Sequence, residues 1–310
     1  MDEKYNALFT PWKVGDVEIK NRIVQCSMGG TDLFGWMEPN HFDEEAAYFL
    51  LNRAKDGVGL LLPGMQFIKD PLGIPGRKWL YQNDYKFKKL KEFMVEFHKT
   101  GAKLFIQLAA GTGRSMAVTD WMVKLAKNDF LNKLASPIVD VQYICASASE
   151  TPNRWAEEIK SRPLTREEIQ EMVEAFGKTA KRLRDAGIDG VEIHAVHEGY
   201  TLDQFAIANM NYRKDEYGGS LENRLRFSTD IVKAIKREAG ADFPVSLRYS
   251  VVSKTKSWGK GAMPYEKDFV EFGRDMEESE KAVKILGDAG YDLFNCDNGT
   301  YDAWYWAHPP

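Results

Sequence analysis

The sequence has little cysteine. Cys26, Cys145 and Cys296 are an odd count in 310 residues, far apart and without a CxxC. They supply neither a disulfide framework nor a cysteine-rich metal site, and the expected compartment is the reducing cytoplasm. Long apolar runs are also missing, since none approaches the ~20 residues of a membrane span. The opening residues, MDEKYNALFTPW, have no basic stretch leading into an apolar one, so a secretory signal is not expected. Nor is there an excess of one charge. Lys and Arg number 42 against 46 Asp and Glu, a net charge of −4, which makes no electrostatic case for nucleic acid or an anionic membrane as partner. No GxGxxG follows an early strand, which weighs against a dinucleotide-binding sheet.

What is present is a recurring unit: an amphipathic helix, a glycine turn, then a short apolar strand. Asp43–Lys55 leads through Asp56-Gly57 into VGLLLPG. Tyr85–Lys99, with Tyr85, Leu90, Phe93, Met94 and Phe97 near one face, leads through Gly101 into KLFIQLA. Arg166–Asp185 carries Ile169, Met172, Val173, Phe176, Ala180 and Leu183 at helical spacing. Thr165 and Glu168 are spaced as a capping box, and the strand GVEIHAV follows. Leu221–Ala239 precedes PVSLRYS, and Glu277–Ala289 precedes DLFNCDN. With IVQCSM at 23–28 this makes six strands with nearly continuous apolar runs, as in parallel sheets covered by helices. The fold class is α/β, and an α/β barrel fits better than a doubly wound sheet. The segment 111–163, rich in Gly, Ser, Pro and Asn, reads as an inserted loop or lid on the functional face.

Barrels place their chemistry at strand ends. His194 and His197 sit where GVEIHAV turns into a loop. They suit a pair of imidazole donors for a carbonyl or carboxylate oxygen. They also suit a metal pair with Glu198 beside it, or two histidines of purely structural role. Tyr200 can give a proton through its phenol or simply anchor a hydrogen bond. Arg248 inside LRYS must be paired or hold an anion, and Glu192 is the expected internal partner if it is structural. Gln107 inside FIQLA offers a donor and an acceptor to the edge of a heterocycle, or serves as a structural amide. The YGGS run at 217–220 marks a tight turn before a helix. Trp304 and Trp306 fit an aromatic lid or plain packing.

Several stretches together resemble the Old Yellow Enzyme family of flavin-dependent ene-reductases, and more narrowly the barrel domain of 2-enoate reductase and 2,4-dienoyl-CoA reductase-like proteins. They are LFTPWKVGDVEIKNRIV at 8–24, GVGLLLPG at 57–64, LFIQLAAGTGR at 104–114, HAVHEGYTLDQF at 194–205, NYRKDEYGGSLENRLRF at 211–227 and the run from Gly273 to Pro310. The resemblance runs essentially end to end, and the 211–227 stretch is its most specific part.

The resemblance implies an eight-stranded (β/α)8 TIM barrel with FMN across its C-terminal mouth and NAD(P)H as reductant. Backbone at Ser27, Met28 and Gly29, together with Pro63 and Gly64, would lie against the flavin. Gln107 would meet its pyrimidine edge, and Arg248 the region where reduced flavin carries negative charge. His194 and His197 would hold the activating oxygen of an α,β-unsaturated substrate, and Tyr200 would protonate the α-carbon. No protein-bound metal is implied at this site. A homo-oligomer is compatible with the resemblance. Ser27 stands where the family usually has proline, Gly29 where threonine or cysteine is common, and Glu198 is inserted before Gly199.

Six of eight strands are identifiable. The chain is therefore expected to be the N-terminal portion, 1–310, of a longer flavoenzyme, with strands 7 and 8 and any 4Fe-4S or FAD/NAD domains beyond it. Two alternatives stand beside an ene-reductase. One is a non-catalytic barrel fragment or subunit that needs a partner; the other is a metal-dependent hydrolase using His194, His197 and Glu198.

Overall fold

The computed structural model describes residues 3–35, 38, 40–69, 79–135, 139–266 and 268–307. Of the stretches singled out above, His308 to Pro310 and residues 136–138 of the 111–163 segment lie outside the described residues. The six expected strands are all present: β1 (Val24–Gln25), β2 (Leu60–Leu61), β3 (Lys103–Ala109), β4 (Gly190–Ala195), β5 (Val245–Ser250) and β6 (Leu293–Asp297). They pair in the order β6-β5-β4-β3-β2-β1, every pair parallel. A two-residue strand, Gln66–Phe67, runs alongside the end of β3.

The sheet is curled. Arg248 on β5 donates through Nη1 to the carbonyl of Ser27, just past β1, at 3.2 Å, although three strands lie between them in the sheet. A flat sheet would hold those strands nearly 20 Å apart at ~4.8 Å per step. Six strands of an α/β barrel are thus wrapped around a common interior.

Five long helices cover the outside: α1 (Glu44–Lys55), α2 (Asp84–His98), α3 (Arg166–Asp185), α4 (Leu221–Ala239) and α5 (Met276–Ala289). Each starts where a short polar side chain accepts from the first turn: Asp43, Asn83, Thr165, Ser220 and Asp275. Such caps satisfy backbone donors that the helix itself cannot. The Thr165–Glu168 capping box is formed in both directions. The predicted apolar face of α3 is buried in full. On α2 the expectation fails at one position: Tyr85 is exposed, and Phe87 takes the inward place beside Leu90, Met94 and Phe97.

Two features went unread in the sequence. The strands Trp12–Val14 and Val17–Ile19 form a hairpin. Val14 and Ile19 pack on Leu60, Leu62 and Phe105, which plugs the end of the barrel where the strands start. Phe105 lies so close to β4 that a Cβ at Gly190 would overlap its ring. The 111–163 segment, expected as a loop or lid, is a small folded cap rather than a structureless loop. It holds short helices at Asp120–Ala126, Asp129–Ala135 and Val141–Ile144. Met116, Met122, Val141, Ile144, Cys145, Ala156 and Ile159 give it a core of its own.

The 211–227 run proves to be a clasp. Asn211 donates to the carbonyls of Phe205 and Tyr217. The Arg213 guanidinium grips Asp215 with two bonds and also donates to the carbonyls of Ala148 and Leu164, fastening the cap to the barrel. Arg224 on α4 pairs with Glu278 on α5. The most specific motif of the chain is therefore architectural and lies away from the strand-end residues it follows.

Candidate active site

The barrel interior holds a ladder of polar side chains. Glu192 on β4 is fully buried, and its carboxylate accepts from Gln107 Nε2 on β3 at 2.6 Å, Ser246 Oγ on β5 at 3.1 Å and Asn295 Nδ2 on β6 at 3.1 Å. Burial pushes its carboxyl above the usual range, against these hydrogen bonds. Gln107 in turn accepts from Ser27 Oγ at 2.9 Å. Glu192 is thus not the partner of Arg248, contrary to the internal pairing weighed from sequence. The reason is stagger: Arg248 lies level with His194 and Asn295, one side-chain layer nearer the mouth than Glu192.

The partner of Arg248 is Asp297, the last residue of β6, which lies opposite Ser250 one layer nearer the mouth. One oxygen of Asp297 accepts from Arg248 Nη2 at 2.8 Å and lies 3.1 Å from His197 Nε2, and the other accepts the Asn298 N–H at 2.8 Å. Burial pushes the Asp297 carboxyl up, but His197, then the bonds from Arg248 and the Asn298 N–H, outweigh it and hold the group well below the usual carboxylate range. The sequence reading missed Asp297, although an ionisable residue ending DLFNCDN met the same strand-end criterion that flagged His194.

His194 is buried, and its Nδ1 has no hydrogen-bond partner. Burial, then the nearby Arg248 and His197, keep this imidazole neutral well below its ordinary titration range. Its ring lies 3.8 Å, centroid to centroid, from the Tyr200 ring. Burial raises the Tyr200 phenol above its ordinary value, with the nearby Tyr301 adding to the shift, so the hydroxyl keeps its proton. His194, His197, Tyr200 and Arg248 are therefore brought together at the mouth, with Asp297 and Tyr301 added.

The turn carrying His197 is held under strain. His197 and Glu198 both adopt positive φ, 62° and 54°, which non-glycine residues rarely do. The His197 N–H donates to Ser250 Oγ at 3.0 Å and the Glu198 N–H to Asp203 at 2.8 Å. Asp203 is itself paired with Arg274, and both side chains are 1% exposed. Glu198, inserted relative to the family pattern, turns its side chain away from the histidines into a small cleft with Arg114, Asn209, Trp258 and Asp302. This parts it from the two histidines, so the metal-hydrolase alternative loses its third ligand. Among the described residues no three His, Cys, Asp or Glu side chains gather as a metal site.

Burial, with Asp302 and Asp203 adding to it, pushes the Glu198 carboxyl up to about 8. A carboxyl whose folded value is raised binds more protons folded than unfolded, so its contribution to stability falls as pH rises from 4.5 to about 8. Glu198→Gln should therefore raise the melting temperature at pH 8 and change it little at pH 5. Equal shifts at both pH values in calorimetry would contradict this assignment.

At the β1 end, the Ser27 carbonyl is tied to Arg248. Met28 is 48% exposed, and a Cβ on Gly29 would meet nothing within 4 Å. Pro63 and Gly64 are buried beneath this backbone; the Gly64 N–H donates to Thr31, whose hydroxyl donates to the Met28 carbonyl. A Cβ on Gly64 would lie 2.9 Å from that carbonyl, so the close approach requires glycine. The backbone of 27–29 and residues 63–64 thus form one open shelf next to Arg248.

The cation, two histidines and phenol thus lie at the strand ends, where α/β barrels carry their active sites. Residues 7–298 match the model of the NADH:flavin oxidoreductase / NADH oxidase family, and the chain belongs to that family. It is 43% identical to cinnamate reductase of Clostridium sporogenes over 314 positions, covering 100% of this chain and 44% of that protein. It is 32% identical to an NADPH dehydrogenase of Bacillus velezensis, covering 94% of this chain and 73% of that one. In structure it resembles 2-naphthoyl-CoA reductase, with TM-score 0.71 and 24% identity over 96% of this chain and 41% of that chain. It also resembles an old yellow enzyme homologue from Zymomonas mobilis, with TM-score 0.65 and 22% identity, covering 96% of this chain and 74% of that one. The fold is thus the TIM barrel of these proteins. The chain spans less than half the length of the cinnamate reductase it matches. No helix among the described residues is long and apolar enough to cross a membrane.

Proposed function

We propose that the protein carrying this chain is an FMN-dependent reductase of activated C=C bonds, taking α,β-unsaturated carboxylates or related enoates. The observation that carries this proposal is the convergence of His194, His197 and Tyr200 beside Arg248 at the barrel mouth. The 43% identity to a cinnamate reductase over the whole chain supports the enoate class of substrate.

The residues present fit a flavin. The open shelf at Ser27, Met28 and Gly29, with Pro63 and Gly64 beneath it, leaves room for a planar ring. Arg248 supplies the cation that favours a reduced, anionic ring. Both ends of the Gln107 amide are engaged, with Glu192 and Ser27. Glu192 fixes which end of the amide faces the shelf, and a ligand edge would exchange with the Ser27 hydroxyl. When bound, FMN reduced by NAD(P)H would supply the hydride.

The side chains do the rest. The unpartnered Nδ1 of buried His194 is available to the activating oxygen of a substrate, and His197 is oriented beside it by Asp297. Hydrogen bonding to that oxygen stabilises the negative charge that develops on it as the double bond is reduced. Tyr200, kept protonated by burial, gives its proton to the α-carbon. The cap at 111–163 touches the turn that carries His197, where Ser115 Oγ donates to the Glu198 carbonyl at 3.3 Å. Where it meets the barrel, a cavity of about 40 Å³ is lined by Phe67, Met116, Tyr143, Met172 and Thr201 among others.

The test is anaerobic reduction of cinnamate by the purified protein, with flavin content read by absorbance. Yellow protein that reduces the enoate is expected. Tyr200→Phe should lower kcat by ~10²-fold or more with little change in KM, the scale of a positioned general acid. Protein without flavin and without enoate reduction would overturn the proposal.

A further inference from the structure

We propose that Gln204 is a positioning residue that locks the turn carrying His197 to the cap, so that the seating of the cap fixes where the substrate-holding histidine stands. This rests on His197 and Tyr200 acting on the substrate as just described. Their turn is in a conformation it would not keep alone. His197 and Glu198 both take positive φ, and such backbone persists only where its surroundings over-determine it. The Glu198 carbonyl has two side-chain donors, Gln204 Nε2 at 2.8 Å and Ser115 Oγ at 3.3 Å. Ser115 belongs to the cap, and Gln204 is bound to the cap.

Gln204 is 0% exposed and lies on the short helix Thr201–Ala206, which follows Tyr200 directly. Both ends of its amide meet the cap. Nε2 donates to the Thr112 carbonyl at 3.0 Å as well as to Glu198. Oε1 accepts from Ser147 Oγ at 2.6 Å and from the Arg114 N–H at 3.2 Å. Thr112 and Arg114 come from one stretch of the cap and Ser147 from another. The fit also depends on the backbone. Gly113 sits at φ 52°, and a Cβ there would overlap Gln204 Oε1, so glycine is what lets the cap close onto the amide. The Thr201 N–H adds a backbone tie to the Gly111 carbonyl at 3.0 Å.

Many buried glutamines do no more than satisfy their neighbours. Gln204 differs because its bonds join two separately packed bodies. The cap has a core of its own around Met116, Met122, Val141 and Ile144, whereas the turn continues β4 of the barrel. The Arg213 clasp fastens the cap elsewhere, at the carbonyls of Ala148 and Leu164. Gln204 is therefore the side chain through which a shift of the cap reaches the Glu198 carbonyl and, one residue before it, His197. Without the amide, the buried Glu198 and Thr112 carbonyls lose donors, which is costly, and the left-handed turn is free to relax.

The experiment measures amide hydrogen exchange and cinnamate reduction in the full-length holoenzyme. Ser147→Ala removes a cap-side bond to Gln204 without touching the turn, and Gln204→Met removes the whole link at similar volume. Both should keep their flavin and speed exchange over residues 197–201 relative to wild type. With KM within ~2-fold, kcat should fall ~3-fold in Ser147→Ala and ~10-fold or more in Gln204→Met, inside the ~10²-fold that a 1 Å misplacement costs. Gln204→Glu adds a readout that lost packing would not move. Its ionised carboxylate has no proton to offer the Glu198 or Thr112 carbonyl, whereas the protonated form has one. Its kcat relative to wild type should therefore rise as pH falls, and that of Gln204→Met should not. The proposal is overturned if Ser147→Ala leaves exchange at the turn unchanged, or if the turn loosens while kcat holds. Should Gln204→Met fail to fold, Ser147→Ala and Gln204→Glu decide. A wild type without flavin or enoate reduction would instead remove the proposed function, and exchange in Ser147→Ala would still read the link.

Discussion

Asp297→Ala should lower kcat/KM for an enoate by about 10²-fold and loosen flavin binding. One carboxylate oxygen lies against both Arg248 and His197, so a single truncation releases the residue proposed to face the flavin and the one proposed to face the substrate. Removing one partner of a buried charge pair costs ~3–5 kcal/mol. Here about a fifth of each partner's side chain is open to solvent, so we expect a stability loss of ~2–3 kcal/mol, while the ~10²-fold fall in kcat/KM is the scale for misplacing positioned groups by about 1 Å. Asp297→Asn keeps the shape and removes the charge, and should fall between wild type and Asp297→Ala. The sign of the pH dependence follows from a carboxyl held below its ordinary value. Its stabilisation is present above the unfolded value of 3.8 and fades as pH falls below it. Wild type and Asp297→Asn should therefore converge in stability in strong acid. Normal flavin content and kcat/KM in Asp297→Ala would show that Arg248 and His197 keep their places without it.

Arg274→Met should be the most destabilising single change among those considered, by ~3–5 kcal/mol. Arg274 and Asp203 are both 1% exposed and 2.8 Å apart, and Arg274 also donates to the Ser250 carbonyl at 2.7 Å. Without the guanidinium, Asp203 is left as a lone buried charge. A domain of this kind has a net stability of only ~5–15 kcal/mol, so the variant should show a clearly lower urea midpoint. Asp203 also holds the Glu198 N–H, so the turn presenting His197 and Tyr200 should loosen with it. The double variant Asp203→Leu, Arg274→Met removes both charges and should recover part of the loss, without restoring catalysis. Equal urea midpoints for Arg274→Met and wild type would refute the pair's role.

Most of the scaffold was readable because local rules agree with the fold. The periods of α3 and α4, their Thr165 and Ser220 caps, and the apolar strands each carry their own signal within a few neighbouring residues. The hairpin Trp12–Val14 and Val17–Ile19 was legible too, in an alternating WKV-GD-VEI pattern, but its role as a plug depends on Phe105 and Leu60 far along the chain. The cap was hidden because its core is assembled from short helices, whose polar connections dominate the composition.

The site divides the same way. By itself the sequence determined which strands end in ionisable residues and which carry a polar one among apolar neighbours, and so brought His194, His197 and Tyr200, and Gln107 and Arg248, forward. It also determined the family, through runs such as 211–227, whose role is to clasp the cap and two helices rather than to touch the site. Only the tertiary structure decided who pairs with whom. The stagger of a curled sheet sets Glu192 one layer below Arg248 and Asp297 of β6 one layer above it, where the guanidinium reaches it. A left-handed turn at His197 and Glu198 sends one side chain into the mouth and the other behind it. Asp297 and Tyr301, which meet His197 through its ring and its carbonyl, both lie far along the chain from it. Register and curvature are properties of the closed sheet, and no local pattern encodes them.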